Sequence, residues 1–190
     1  MADESLLPYL FLSGSPFEMG LTHGRHFKDR IKACFDFYTQ SLCRSPSFDF
    51  PTWGQAYQKQ VQEAFPALGE EMLGIAEGSG MAPWQIGVLN ARTEIFLMVN
   101  AQRISECTAI GFPKERLLGQ NWDWMTACEP FMVLLEIQRP GGRKLLTMTE
   151  AGMLGKVGLN NRGLGVCLNI LFGNHENIGV PIHPLLRASS

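Results

Sequence analysis

The stretch Cys107-Thr108-Ala109-Ile110-Gly111-Phe112-Pro113-Lys114-Glu115-Arg116-Leu117-Leu118-Gly119-Gln120-Asn121-Trp122-Asp123-Trp124 is where the chain changes its grammar. Two apolar runs of strand length, Cys107–Phe112 and Arg116–Trp124, flank Pro113-Lys114-Glu115, a turn chemistry suited to a hairpin. Phe131–Gln138, Arg143–Thr149, Lys156–Asn160 and Leu164–Leu171 continue in the same manner, separated by turns such as Pro140-Gly141-Gly142 and Asn161-Arg162-Gly163. Short runs joined by tight turns predict antiparallel strands.

Upstream the period is helical. Ser15-Pro16-Phe17-Glu18 combines a capping box with proline at the first helical position. Apolar residues then recur at Phe17, Leu21, Phe27, Ile31, Cys34, Phe35 and Tyr38. Gly20 and Gly24 sit inside that pattern, where glycine disfavours helix, so they predict a close approach to another backbone. Thr52-Trp53-Gly54-Gln55 opens a second helix, Pro66 a third that closes at Gly78-Ser79-Gly80, and Pro83 a fourth that runs to Phe96. Val180 to Arg187 reads as the start of a further helix, which suggests that a C-terminal segment is missing. Helices followed by an antiparallel meander predict an α+β fold. The polar stretch 100–106 divides the chain into residues 1–106 and 107–190.

Composition narrows the function. Of 190 residues, 45% are hydrophobic and 18% charged, against roughly 25% charged in an average soluble chain, so a packed core is expected. The net charge of -2 offers no electrostatic footprint for nucleic acid or an anionic membrane. No apolar run reaches the ~18 residues of a membrane helix. The acidic start Met1-Ala2-Asp3-Glu4, followed by a short apolar stretch broken by Pro8, does not read as a targeting segment, and a cytoplasmic location is expected. Five cysteines without a C-x-x-C pair, and four dispersed histidines, predict neither a disulfide framework nor a metal site, and no cofactor is expected.

Three residues stand out against their surroundings. Cys107 opens the first strand; in most proteins such a cysteine is simply buried. Asp123 lies in Gln120-Asn121-Trp122-Asp123-Trp124, where a carboxylate is disfavoured in a strand and costly to bury unpaired. Asn169 stands alone in the apolar run Leu164–Leu171, where a buried amide requires a hydrogen-bond partner. A turn carboxylate and a sheet-edge amide are the plainer readings of the last two.

These segments, in this order, resemble the acyl-coenzyme A:6-aminopenicillanic acid acyltransferase family. Its members are N-terminal-nucleophile (Ntn) hydrolases with a cysteine nucleophile, more distantly related to penicillin V amidases and bile salt hydrolases. The resemblance extends to Gly14-Ser15-Pro16-Phe17-Glu18-Met19-Gly20, to His23-Gly24, to the run Pro66 to Gly78 and to Leu89-Asn90-Ala91-Arg92-Thr93-Glu94-Ile95, and so spans residues 13–187.

The resemblance implies an αββα sandwich, incomplete here, with a helical pro-segment (1–106) followed by the nucleophile-bearing part (107–190). It implies self-cleavage at Glu106–Cys107, after which Cys107 carries both its thiol and a free α-amine. That amine, with an ordinary pKa near 7.7–8.0, can serve as base for its own residue's thiol. Asp123 would hold the amine and Asn169 would bind the oxyanion. The implied reactions are hydrolysis of a linear amide and acyl transfer from a thioester to an amine, both through an acyl-Cys107 intermediate. Partners would be a small acyl-amide or acyl-thioester substrate and the chain's own cleaved N-terminal part. Gln120 stands where bile salt hydrolases place an arginine, and Glu106 where the penicillin-pathway enzyme has glycine. The alternative is a catalytically silent, truncated member acting as an interaction module.

Overall fold

The computed structural model describes residues 7–42, 47–99, 107–170 and 179–189. Strand β1 (Tyr9–Ser13) leads into helices α1 (Pro16–His26) and α2 (Lys28–Asp36), a π-helical turn at Phe37–Leu42, α3 (Phe50–Ala64), α4 (Pro66–Ser79), α5 (Pro83–Asn90) and α6 (Arg92–Val99). Strands β2 (Cys107–Phe112), β3 (Leu117–Trp122), β4 (Met132–Arg139), β5 (Arg143–Glu150), β6 (Val157–Asn160) and β7 (Gly165–Val166) follow, and α7 (Ile182–Ser189) comes last. The α+β reading therefore holds.

The predicted capping box is present: Ser15 Oγ accepts from Glu18 N at 3.3 Å while Glu18 Oε2 accepts from Ser15 N at 2.8 Å. Helix α4 begins at Pro66 and stops at Gly80, whose positive φ of 71° reverses the chain. The second helix starts earlier than expected, because Asp49 rather than Thr52 is the cap: its Oδ1 accepts from Thr52 N at 3.1 Å. Two helices expected as continuous are broken, at Phe27 and at Ala91, where φ is -111° and ψ turns to 23° and 17°.

The glycines of α1 do what their position demands. A Cβ on Gly20 would lie 2.0 Å from Glu71 O, and one on Gly74 would lie 2.2 Å from Phe17 O. Helices α1 and α4 therefore touch backbone to backbone, a separation only glycine permits.

The strands differ from a single antiparallel meander. Strands β2 and β3 form their own two-stranded sheet, whereas the others form a five-stranded sheet of order β1-β4-β5-β6-β7. β1 comes from the N-terminal region and runs parallel to β4, with Leu12 opposite Ile137. Parallel pairing needs a long crossover, and all the helices of residues 16–99 supply it. Leu12, Ile31, Met72, Ile75, Leu89, Leu135 and Ile137 are buried in one core joining the helices to this sheet. The last expected strand, Leu164–Leu171, shrinks to Gly165–Val166, paired only with Leu159 and Gly158. Beyond it the Gln120 side chain replaces a strand neighbour: its Nε2 donates to Leu168 O and its Oε1 accepts from Leu168 N.

Candidate active site

Cys107 begins β2 and faces Trp122 across the β2–β3 ladder. It is a free thiol, half-buried. Its backbone carbonyl accepts a 3.0 Å hydrogen bond from Asn169 Nδ2, and Asn169 Oδ1 accepts from Gln120 Nε2 at 3.2 Å. Gln120 thus holds both the backbone at Leu168 and the side chain next to it, and Asn169 in turn holds the cysteine. Asn169 is exposed and lies outside the strand, so the expectation of a buried strand amide is corrected: its partner is the Cys107 backbone.

Asp123 follows directly after β3. It too is exposed, and both carboxylate oxygens accept from Asn121 Nδ2 at 3.0 Å. The burial cost invoked from sequence does not arise, because the Asn-Trp-Asp turn satisfies the carboxylate locally. Cys107 and Asp123 nevertheless line one cavity of about 20 Å³, walled also by Arg92, Lys156, Trp122 and Trp124. The structure therefore gathers Cys107, Asp123 and Asn169 into one neighbourhood. Glu106 lies outside the described residues.

Beneath the cavity is a buried charge cluster. Glu150, fully buried at the end of β5, faces Arg92 (Nε to Oε2 3.3 Å) and Lys156 (Nζ to Oε1 3.3 Å). Tyr38 Oη donates to the same carboxylate at 3.0 and 3.1 Å and accepts from Trp124 Nε1 at 3.1 Å. The tryptophans of the Asn-Trp-Asp-Trp segment cover the cations. Lys156 Nζ sits 3.4 Å from the Trp122 ring centroid, and the Arg92 guanidinium carbon 4.9 Å from that of Trp124. Two cations share one carboxylate. Arg92 cannot give up its proton, and Glu150 is held below the usual carboxylate range by the two cations and the Tyr38 hydroxyl despite its burial. Burial first, and Arg92 second, push Lys156 down to about 7. Among the described residues, no group of three or more His, Cys, Asp and Glu side chains could hold a metal ion.

No family model matches the chain. Over 181 residues, 92% of the chain, it is 33% identical to the 40 kDa form of acyl-coenzyme A:6-aminopenicillanic-acid-acyltransferase from Emericella nidulans. The chain belongs to the acyl-coenzyme A:6-aminopenicillanic acid acyltransferase family. It spans about half the length of that relative, 50%.

Sequence reasoning about this acyltransferase-family chain missed the Arg92–Glu150–Lys156 cluster. A signal was available. Glu150 and Lys156 are the only charges in the apolar run Leu145–Leu159, and charged side chains so placed require partners. What the sequence does not reveal is that Arg92 and Tyr38, from separate helices, supply two of those partners.

Proposed function

We propose that the chain is a self-processing cysteine Ntn enzyme. It cuts its own Glu106–Cys107 bond, then hydrolyses linear amide bonds or passes acyl groups from a thioester to an amine through acyl-Cys107. The reading includes the αββα architecture, residues 1–106 and 107–190 as the two resulting chains, small acyl-amide or acyl-thioester substrates, and a cytoplasmic location. In it Cys107 is the nucleophile, Asp123 holds the α-amine released by cleavage, and the Asn169 amide binds the oxyanion. One oxyanion donor is typically worth about 10²–10³ in rate.

The observation that carries this reading is the convergence at Cys107. Its carbonyl is held by Asn169, and Cys107 lines the same small cavity as Asp123. An Asn169 amide nitrogen carries two hydrogens, and one on the Cys107 carbonyl leaves the second for a developing negative charge. Intact-mass analysis of the purified chain beside Cys107→Ala tests it. Two fragments meeting at Glu106–Cys107 are expected from the first and one uncut mass from the second; cleavage in the alanine variant would remove Cys107 as nucleophile.

A second reading, a silent interaction module, draws on a different feature. A groove of about 1190 Å³ runs between the β2–β3 ribbon and β6–β7, lined in part by exposed Phe112, Leu117, Leu118, Leu159 and Leu164. Exposed apolar surface of this kind marks interaction sites. A single uncut mass for the unaltered chain would favour it.

A further inference from the structure

An Ntn cysteine uses its own α-amine as base only after that amine exists. In the uncut chain the nitrogen of Cys107 is an amide, which has no basic lone pair, so the first deprotonation of the thiol needs another acceptor. Among the described residues, the walls of the cysteine cavity hold few candidates. Asp123 is held by Asn121 at both oxygens, and a carboxylate is ordinarily a far weaker base than a thiolate. Arg92 is permanently charged.

Lys156 remains. Its side chain is buried, and Lys156 lines the same cavity as Cys107. Two fixed contacts hold Nζ, Glu150 Oε1 at 3.3 Å and the Trp122 ring at 3.4 Å, and Trp122 is the cross-strand neighbour of Cys107. The cavity volume of about 20 Å³ accommodates one water, for which roughly 10–15 Å³ suffices. One water is also the longest relay across which a general base normally acts.

We propose that Lys156 is the proton acceptor for the Cys107 thiol in the uncut chain, acting through a single water in this cavity. The inference rests on the self-processing reading. In the step it describes, the thiol proton passes by way of the water to the neutral Lys156 amine. The thiolate then attacks the carbonyl carbon of residue 106; a carbon–sulfur bond forms and the carbon–nitrogen bond breaks. Lys156 returns its proton to the departing nitrogen, which becomes the α-amine of Cys107. A second water hydrolyses the thioester, giving the α-carboxylate of Glu106 and regenerating the thiol, and the proton left over goes to the new α-amine. Lys156 ends as it began.

The neighbourhood suits a lysine that changes charge near neutrality. Arg92 from α6 faces it as a second cation and Glu150 from β5 as the anion, so losing the Lys156 proton leaves an exact Arg92–Glu150 pair. Among the described residues, Tyr38 and Cys34 from the helices, Cys128 after β3 and His183 from α7 also surround the cluster, and Glu94 on α6 interacts with Arg92. Burial holds the first three neutral by raising them and His183 neutral by lowering it, so none competes for the proton near pH 7.

The test follows cleavage and Cys107 reactivity together in the full chain, across pH 5.5–9.5, for the unaltered protein, Lys156→Arg and Lys156→Met. The tryptic peptide 104–114 spans the scissile bond and therefore reports iodoacetamide labelling of Cys107 in uncut molecules alone. The unaltered chain is expected to show cleavage and labelling both rising through an inflection near pH 7 as Lys156 becomes neutral. Lys156→Arg keeps a positive charge but accepts no proton, so its cleavage should fall roughly 10²–10⁴-fold. Lys156→Met should lose the inflection and label only in the ordinary thiol range. Cleavage by Lys156→Arg at the unaltered rate, or an inflection that persists in Lys156→Met, would overturn the proposal while leaving self-processing intact. An unaltered chain that never cuts yet shows the Lys156-dependent inflection would refute self-processing and keep the proton link. A labelling profile without any inflection near 7 in the unaltered chain sinks the proposal without recourse to a variant.

Discussion

Glu150 is the residue whose removal the molecule should tolerate least. Its single negative charge is shared by Arg92 and Lys156, both almost fully buried, and it accepts the Tyr38 hydroxyl as well. Glu150→Ala leaves Arg92 buried without its counter-ion and favours the neutral Lys156 amine beside it, and breaking a buried ionic group this way costs roughly 3–5 kcal/mol. Urea unfolding should show the midpoint falling by that equivalent with an unchanged slope; a loss under 1 kcal/mol would mean that water enters and solvates the cations. At this scale the sequence was legible only where a motif named the residue. Cys107, Asp123 and Asn169 are identifiable by their place in recurring segments, and the structure brings them together. Arg92 on α6, Glu150 at the end of β5 and Lys156 in the turn before β6 are ordinary charges, and only the folded chain reveals that they meet.

Between elements, the closest association is that of α1 with α4. Because Gly20 and Gly74 each face the other helix's backbone with no room for a methyl group, Gly20→Ala must push the axes apart or distort them. Overpacking typically costs about 1–3 kcal/mol, and a backbone obstacle cannot rotate away, so a loss at the upper end is expected. Thermal melts of Gly20→Ala beside Thr22→Ala, an exposed neighbour on the same helix, would check it, and equal melting would contradict the backbone contact. The helix–helix contact was readable from glycines at helical spacing, and so were the strand bounds of β2 and β5. The breaks at Phe27 and Ala91 were not, because the apolar period continues across both. β1 was invisible for another reason. Tyr9–Ser13 is short, follows Pro8, and earns its place by pairing with β4 far along the chain, which no local pattern records. The splitting of the strands into two sheets was likewise hidden, because strand-length apolar runs do not record which runs pair.

Across the whole molecule, acid should be destabilising for a definite reason. His23 and His183 are fully buried; His23 Nε2 accepts from Gly152 N at 3.1 Å, and His183 lies between Thr93 Oγ1 and Gly155 O, each at 3.2 Å. Burial lowers His23 to about 3 and His183 well below its ordinary value. Both folded values lie below the unfolded one, so the unfolded chain takes up protons that the native chain refuses. The histidine contribution is therefore complete above pH 6.5 and is lost as pH falls. Together the two should remove about 3 kcal/mol between pH 6.5 and 5, and His183→Gln should halve that slope. A flat stability profile over this range would show that the imidazoles reach solvent. The path of β1 has a different consequence. Residues before position 100 supply an edge strand and about two-thirds of the core, residues after 107 supply the remaining strands and the rest of it, and both sets are buried in one continuous cluster. A break in the intervening backbone would raise the entropy of the unfolded chain but free no surface in the folded one. The two pieces would share a single melting transition, and their affinity for each other would be a folding free energy rather than a binding constant in the usual sense.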